Sequence, residues 1–227
     1  VEFSQRSATG GQLEMELVIA KKQYQQTILK STFDFTIQIA SIKELFEYLI
    51  EHKSSFNDEA ISWTEEIISK LYSLQETAAK FQTQLQWLFQ EAEIPEENKP
   101  LQERIVAASK YFIAELSSLI QFISQSPTIT DSRQNAKEYN EALRETFAQL
   151  SMKKFMLEGF SIRFDMEAFH QRKQKFVLPS FTVNAYAGVN QQRSDIPHPV
   201  LHQQLRKVRE LICVKKDLPI YIVAGSK

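Results

Sequence analysis

The chain has 227 residues, of which 43% are hydrophobic and 11% aromatic, and a formal net charge of −1. That apolar content excludes a disordered chain, and five glycines and seven prolines are too few for a β-sandwich or a loop-rich enzyme. The near-neutral total hides an asymmetry. Residues 1–150 carry 14 Lys and Arg against 22 Asp and Glu, net −8, whereas residues 151–227 carry 13 against 6, net +7. A polyanionic partner is therefore expected at the C-terminal third.

From Leu13 the spacing Leu13, Leu17, Ala20, Tyr24, Ile28 predicts a helix. "STFDFTIQIAS" alternates Phe33, Phe35, Ile37 and Ile39, a pattern a short strand would share. Its continuation "IKELFEYLIEH" favours a helix beginning near Ser31 or Thr32. Asn57 or Asp58 then offers a cap for a long helix whose seam runs Ile67, Leu71, Leu74, Ala78, Phe81, Leu85, Leu88. "EIPEENKP" interrupts it with two prolines. A second seam follows at Leu101, Ile105, Ala108, Phe112, Leu116, Leu119 and Ile123.

After "SPTITDS", with Thr130 or Asp131 as cap, a third long helix is predicted from about Asn135 to Leu157 through Tyr139, Leu143, Phe147 and Leu150. Short breaks between long helices imply antiparallel neighbours, hence an all-α, up-and-down bundle. Intermolecular coiled-coil pairing is the alternative use of such seams. Beyond Gly159 a short helix capped by Asp165 is predicted, with Arg172, Lys173 and Lys175 at its C-terminal end. The connection that follows is too apolar to be a free linker. Phe181, Val183 and Tyr186 are expected to pin "SFTVNAYAG" to the bundle, and "VNQQRSDIP" to serve as hinge. The expected organisation is a bundle with its pinned extension over 1–188, a linker over 189–197 and a further module over 198–227.

The sequence carries no recognisable catalytic pattern. No glycine stands in a phosphate-cradling loop followed by Lys and Ser or Thr, so no ATPase motor is expected in this chain. His198 and His202 have the four-residue spacing of metal ligands, but Pro199 and the lack of a third ligand argue against a metal site. "EAFH" at Glu167–His170 is a single Glu-x-x-His match outside the long helices. Cys213 falls on the apolar side of its predicted helix and reads as a buried structural thiol. No catalytic residue, cofactor or metal is expected.

A lone cysteine excludes an internal disulfide framework and points to a reducing, cytoplasmic setting. No apolar run reads as long enough to cross a bilayer, so no membrane role is expected. The chain opens at Val1 rather than Met, which leads one to expect a fragment.

One stretch carries a family pattern. "LRKVRELICVKKDLPIYIVAGSK", through Leu205-Arg206-Lys207-Val208-Arg209, Ile212, Leu218-Pro219 and Tyr221-Ile222-Val223, resembles the opening of the helicase-and-RNase-D C-terminal (HRDC) domain of RecQ-type helicases. About the first third of that module is present. "FDFTIQIAS", "AKEYNEAL" and "FVLPSFTVNAYAG" resemble the segment between motor and HRDC domain in RecD-like bacterial DNA helicases. The resemblance implies a non-catalytic accessory region of an ATP-dependent helicase, with the motor upstream in the same polypeptide and single-stranded or structured DNA as partner. It also implies DNA contacts at Tyr221, a stacking aromatic, with Arg206, Arg209, Lys215 and Lys216 as basic neighbours. Arg172, Lys173 and Lys175 extend that basic set. Tyr221 as a core residue is the competing reading. A structural or protein-interaction bundle without nucleic acid is the rival for the whole chain, and salt dependence separates the two.

Overall fold

The seams predict long helices packed lengthwise, and the computed structural model has them. It describes residues 2–187, and side chains from residue 10 onward. The chain separates into two compact units, residues 1–186 and 187–227, and the first of them is the bundle. Six α-helices are present among the described residues: α1 (Glu2–Thr32), α2 (Thr36–Glu51), α3 (Glu59–Glu91), α4 (Lys99–Ser124), α5 (Arg133–Phe160) and α6 (Met166–Lys173). No strand occurs among them, only isolated bridges joining Phe56 to Thr130 and Thr130 to Tyr186.

Helices α2 to α5 form a closed four-cornered bundle in which each helix runs antiparallel to the next. Trp63, near the start of α3, stacks on Phe122 at the end of α4, while Arg104 in the first turns of α4 donates to Gln84 far along α3. Gln38 and Tyr48, at opposite ends of α2, reach Gln149 and Asn135 of α5 in reverse order. The seam residues Ile67, Leu71, Leu74, Ala78, Phe81 and Leu85 are buried, as are Leu101 through Ile123 on α4 and Tyr139 through Leu150 on α5. Leu88 is only partly buried, and Phe89 takes its place in the core. The seams therefore serve packing within one chain. By length and composition α4 could also cross a membrane, contrary to the expectation from sequence; in the fold its apolar stripe is core.

The bundle has a mismatch built into it. Helix α2 has 16 residues, against 33, 26 and 28 in α3, α4 and α5, so it spans about 24 Å beside partners of roughly 39–50 Å. The rest of its corner is filled by the end of α1, which buries Leu29 and Gln25. The two helices join through Phe33-Asp34-Phe35. Both phenylalanines are fully buried, and both contact Phe112 of α4.

A break inside a core strands backbone groups at two helix ends, and each unsatisfied one would be costly. Side chains from the neighbours take them up. Gln82 donates to the Lys30 and Phe33 carbonyls, Lys153 donates to the Ser31 carbonyl at 2.8 Å, and Gln75 accepts from Phe35 N. Asp34 accepts from Thr36 N. The "FDF" alternation thus marks a helix–helix break, and α2 begins at Thr36 instead of at Ser31 or Thr32. Ile37 is exposed while Ile39 is buried.

Caps account for most of the other boundaries. Asn98 accepts from Leu101 N ahead of Pro100, and Asp165 caps α6 by accepting from Ala168 N. Asp58 occupies the cap position of α3 but makes no side-chain cap bond. Asn57 instead holds the α4–α5 loop, donating to the Pro127 carbonyl and accepting from Ile129 N. The cap of α5 is Ser132, not Thr130 or Asp131. Thr130 is buried beneath the returning chain, where its backbone N donates to Ala185 O.

At this end Tyr139 is wholly buried, and its hydroxyl meets Thr128 Oγ1 at 2.8 Å and Ser126 Oγ at 2.7 Å. Burial pushes its phenol up to about 12. Tyr139→Phe leaves two hydroxyls short of a partner and should cost about 1–3 kcal/mol by urea denaturation, with the fold retained. A change within error would show that Ser126 and Thr128 re-pair freely.

Candidate nucleic-acid interface

The sequence-predicted basic residues Arg172, Lys173 and Lys175 belong to α6 and the turn after it. Three bonds fix the approach to that helix. Gln102 of α4 pairs with the backbone of Phe164 through both its amide atoms, at 2.9 and 3.0 Å. Glu96 accepts from Met166 N and from Lys21 of α1. Beneath lies one aromatic cluster, in which Phe160 stacks on Phe169 and meets Phe164 edge to face.

Arg172 is not a free cation. Its guanidinium lies 4.0 Å from the Phe155 ring centroid, donates through Nε to the Phe155 carbonyl and pairs through Nη2 with Glu158 at 2.7 Å. It reaches there across Gly159, where a methyl group would stand 2.9 Å from Arg172 Cδ. Arg172 is therefore the clamp of α6 on α5. Gly159 and Phe155, which make the clamp possible, carry no pattern in the sequence that would have marked them.

Lys173 and Lys175 are exposed. Beside them a groove of about 460 Å³ runs between the end of α5 and α6, with Phe155, Phe160 and Phe169 in its lining and Arg163, Arg172 and Lys175 as its cations. Ile162 stands at its lip, 86% exposed. Cations beside accessible apolar groups can follow a phosphate backbone while bases contact the wall. Arg206, Arg209, Lys215, Lys216 and Tyr221 lie outside the described residues, as do His198, His202 and Cys213.

From α6 the chain returns along α5. Phe181 packs on Phe147 with centroids 4.7 Å apart, Asn184 and Ala185 bond Asn140, and Tyr186 meets Arg133. Val183 also packs against the core. Tyr186 thus sits beside Arg133, 22 residues and about 33 Å along α5 from the Arg172 clamp at Phe155.

Over residues 16–185 the chain matches the family model described as DNA helicase, middle domain. It belongs to that family. No curated protein and no solved structure matches the chain. The matched span opens midway along α1 and closes at Ala185, so the family unit coincides with the bundle and the segment that returns along it. As a helicase middle domain this is an accessory region of a DNA helicase and not its motor.

Two titrations are displaced near the break. Burial pushes the Lys153 amine down to about 8, offset in part by Asp34. Asp34 itself is raised by burial, but the Thr36 hydrogen bonds and Lys153 bring its carboxyl below the ordinary value overall. Between pH 8 and 10.5 the unfolded chain binds the lysine proton that the folded one has released, so stability should rise across that interval. Above about pH 10 Tyr139 opposes it, because the unfolded phenol ionises first. Thermal unfolding from about pH 7.5 to 9.5 should therefore show a rise that Lys153→Met abolishes. The same slope in both proteins would mean that the amine is not displaced.

The clamp is tested by a double-mutant cycle. Gly159→Ala alone should destabilise, because the methyl group meets Arg172. In an Arg172→Ala background the same change should stabilise by about 1 kcal/mol, the helix preference of Ala over Gly. Equal effects in both backgrounds would show that Arg172 does not occupy that space.

Proposed function

We propose that this middle domain is a non-catalytic part of an ATP-dependent, RecD-like bacterial DNA helicase that holds DNA in position relative to the motor. The single observation that carries the reading is the family match over residues 16–185. The charge of +7 on residues 151–227 supports DNA as the ligand of the C-terminal third. In this reading the α5–α6 groove, with Lys173 and Lys175, tracks one strand. Residues 198–227 form the first part of an HRDC-like module, in which Arg206, Arg209, Lys215, Lys216 and Tyr221 contact DNA. The motor precedes this region in the same polypeptide, and the protein works in the cytoplasm.

The test is fluorescence anisotropy of the 227-residue chain with a labelled single-stranded oligonucleotide across a salt series. If Lys173 and Lys175 each neutralise a phosphate, changing both to Gln should flatten the slope of log K against log salt by about 1.4, or roughly 0.7 per contact on a single strand. Replacing Arg206 and Arg209 should flatten it by a similar amount. Tyr221→Ala should weaken binding by about 1–3 kcal/mol if the ring stacks on a base. Binding that is absent, or indifferent to salt, would overturn the reading and leave a protein-interaction bundle.

A further inference from the structure

Of the stripe that predicts α1, Leu13-Leu17-Ala20-Tyr24-Ile28, only Ile28 packs against the bundle core, and Leu13, Leu17 and Ala20 are exposed. Helix α1 packs through Gln25, Leu29 and Thr32. Its residues 10–21 are all exposed, forming an arm of about 18 Å. Leu13 is 60% and Leu17 67% exposed, and Met15, Val18 and Ile19 are exposed as well. A helix with apolar groups on all sides belongs in a contact, and this is the largest run of bare apolar side chains among the described residues.

We propose that the arm pairs with the arm of a second copy of this chain as a short antiparallel coiled coil. The spacing 13, 17, 20, 24 alternates four and three residues, the core register of a two-helix seam. Glu14 and Lys21 lie seven residues apart and flank that seam on the same side. When two copies meet antiparallel, like flanks face each other, so Glu14 of each copy stands opposite Lys21 of the other. The arm is thus self-complementary in charge, as a two-fold contact requires. Its other flank carries Glu16 and Gln23, which do not oppose the pairing as a run of like charges would.

Lys21 bonds Glu96 of its own chain at 3.1 Å and is still 61% exposed, and an ammonium has donors for both carboxylates. Antiparallel pairing also sets the two bundles at opposite ends of the seam. The free seam closes at Tyr24, whose ring stacks on His170 of α6.

Two heptads make a small interface, so a reversible dimer in the micromolar range is expected, in the class of contacts below about 1,200 Å². Sedimentation equilibrium of the 227-residue chain reads it directly. Glu14→Lys and Lys21→Glu should each abolish self-association, because like charges then face each other. Circular dichroism serves as the folding control. Mixed together, the two single variants should associate with each other, since every pair across the seam is again opposite in sign; the double variant should self-associate as the parent does. A parent chain that stays monomeric at hundreds of micromolar overturns the proposal and leaves the arm to the rest of the helicase polypeptide. A dimer that is insensitive to Glu14→Lys also overturns it, because a parallel seam or a different face would behave that way. DNA affinity does not enter these measurements, so their failure leaves the functional reading untouched.

Discussion

Three long helices with one short partner cannot enclose a continuous core, and the rest of the molecule depends on how that gap is filled. Helices α3, α4 and α5 present seams that α2, with 16 residues against 33, 26 and 28, leaves partly uncovered. The end of α1 covers the remainder, which puts a chain break beside the core. Phe33 and Phe35 make the break a packing feature, both meeting Phe112. Gln75, Gln82 and Lys153 make it tolerable by pairing the backbone groups it exposes. Without Gln75 and Gln82, the half-buried Phe35 amide and Phe33 carbonyl would lie beside the aromatic core with no side-chain partner, each costing about 1–3 kcal/mol.

That solution determines the direction of α1. Because the helix enters the bundle only at its last turns, the preceding turns continue past the end of α3 as an arm. The two ends of the domain consequently differ in chemistry. One gathers the arm, α6, the Phe160-Phe164-Phe169 cluster and the exposed lysines. The other is a lattice of backbone and hydroxyl bonds in which Asn57, Thr130 and Ala185 tie three loops together and Tyr139 closes the base. The first end leaves apolar and basic side chains in solvent, and the second holds the bundle shut.

Within the α5–α6 region charge alone is a poor guide to role. Arg172, Lys173 and Lys175 look equivalent as a cluster, yet Arg172 is engaged by Glu158 and the Phe155 carbonyl while the two lysines stay in solvent. The difference comes from Gly159, which leaves room for one long side chain to cross α5. A planar guanidinium can stack on Phe155 and donate to an acid and a carbonyl together; an ammonium cannot do both.

The sequence by itself determined the class of fold. The heptad seams of α3 and α4, the prolines between them and the Asp165 cap are local signals, and an apolar period of about 3.5 residues admits few structures other than packed helices. It also located the basic third of the chain, since charge is additive along a polymer. Tertiary structure alone decided that "FDF" is a break, because alternation over so few residues reads the same in a strand and at a helix junction. It decided that Ser132 caps α5, because Thr130 was needed under Ala185. It showed Leu13, Leu17 and Ala20 of the stripe on α1 to be bare, because periodicity reveals that a helix has an apolar face but not whether a partner of sufficient length stands beside it. The candidate groove was legible only through its lysines. Phe155 and Gly159 lie in an ordinary helical sequence, and their role depends on an arginine that folding brings across them.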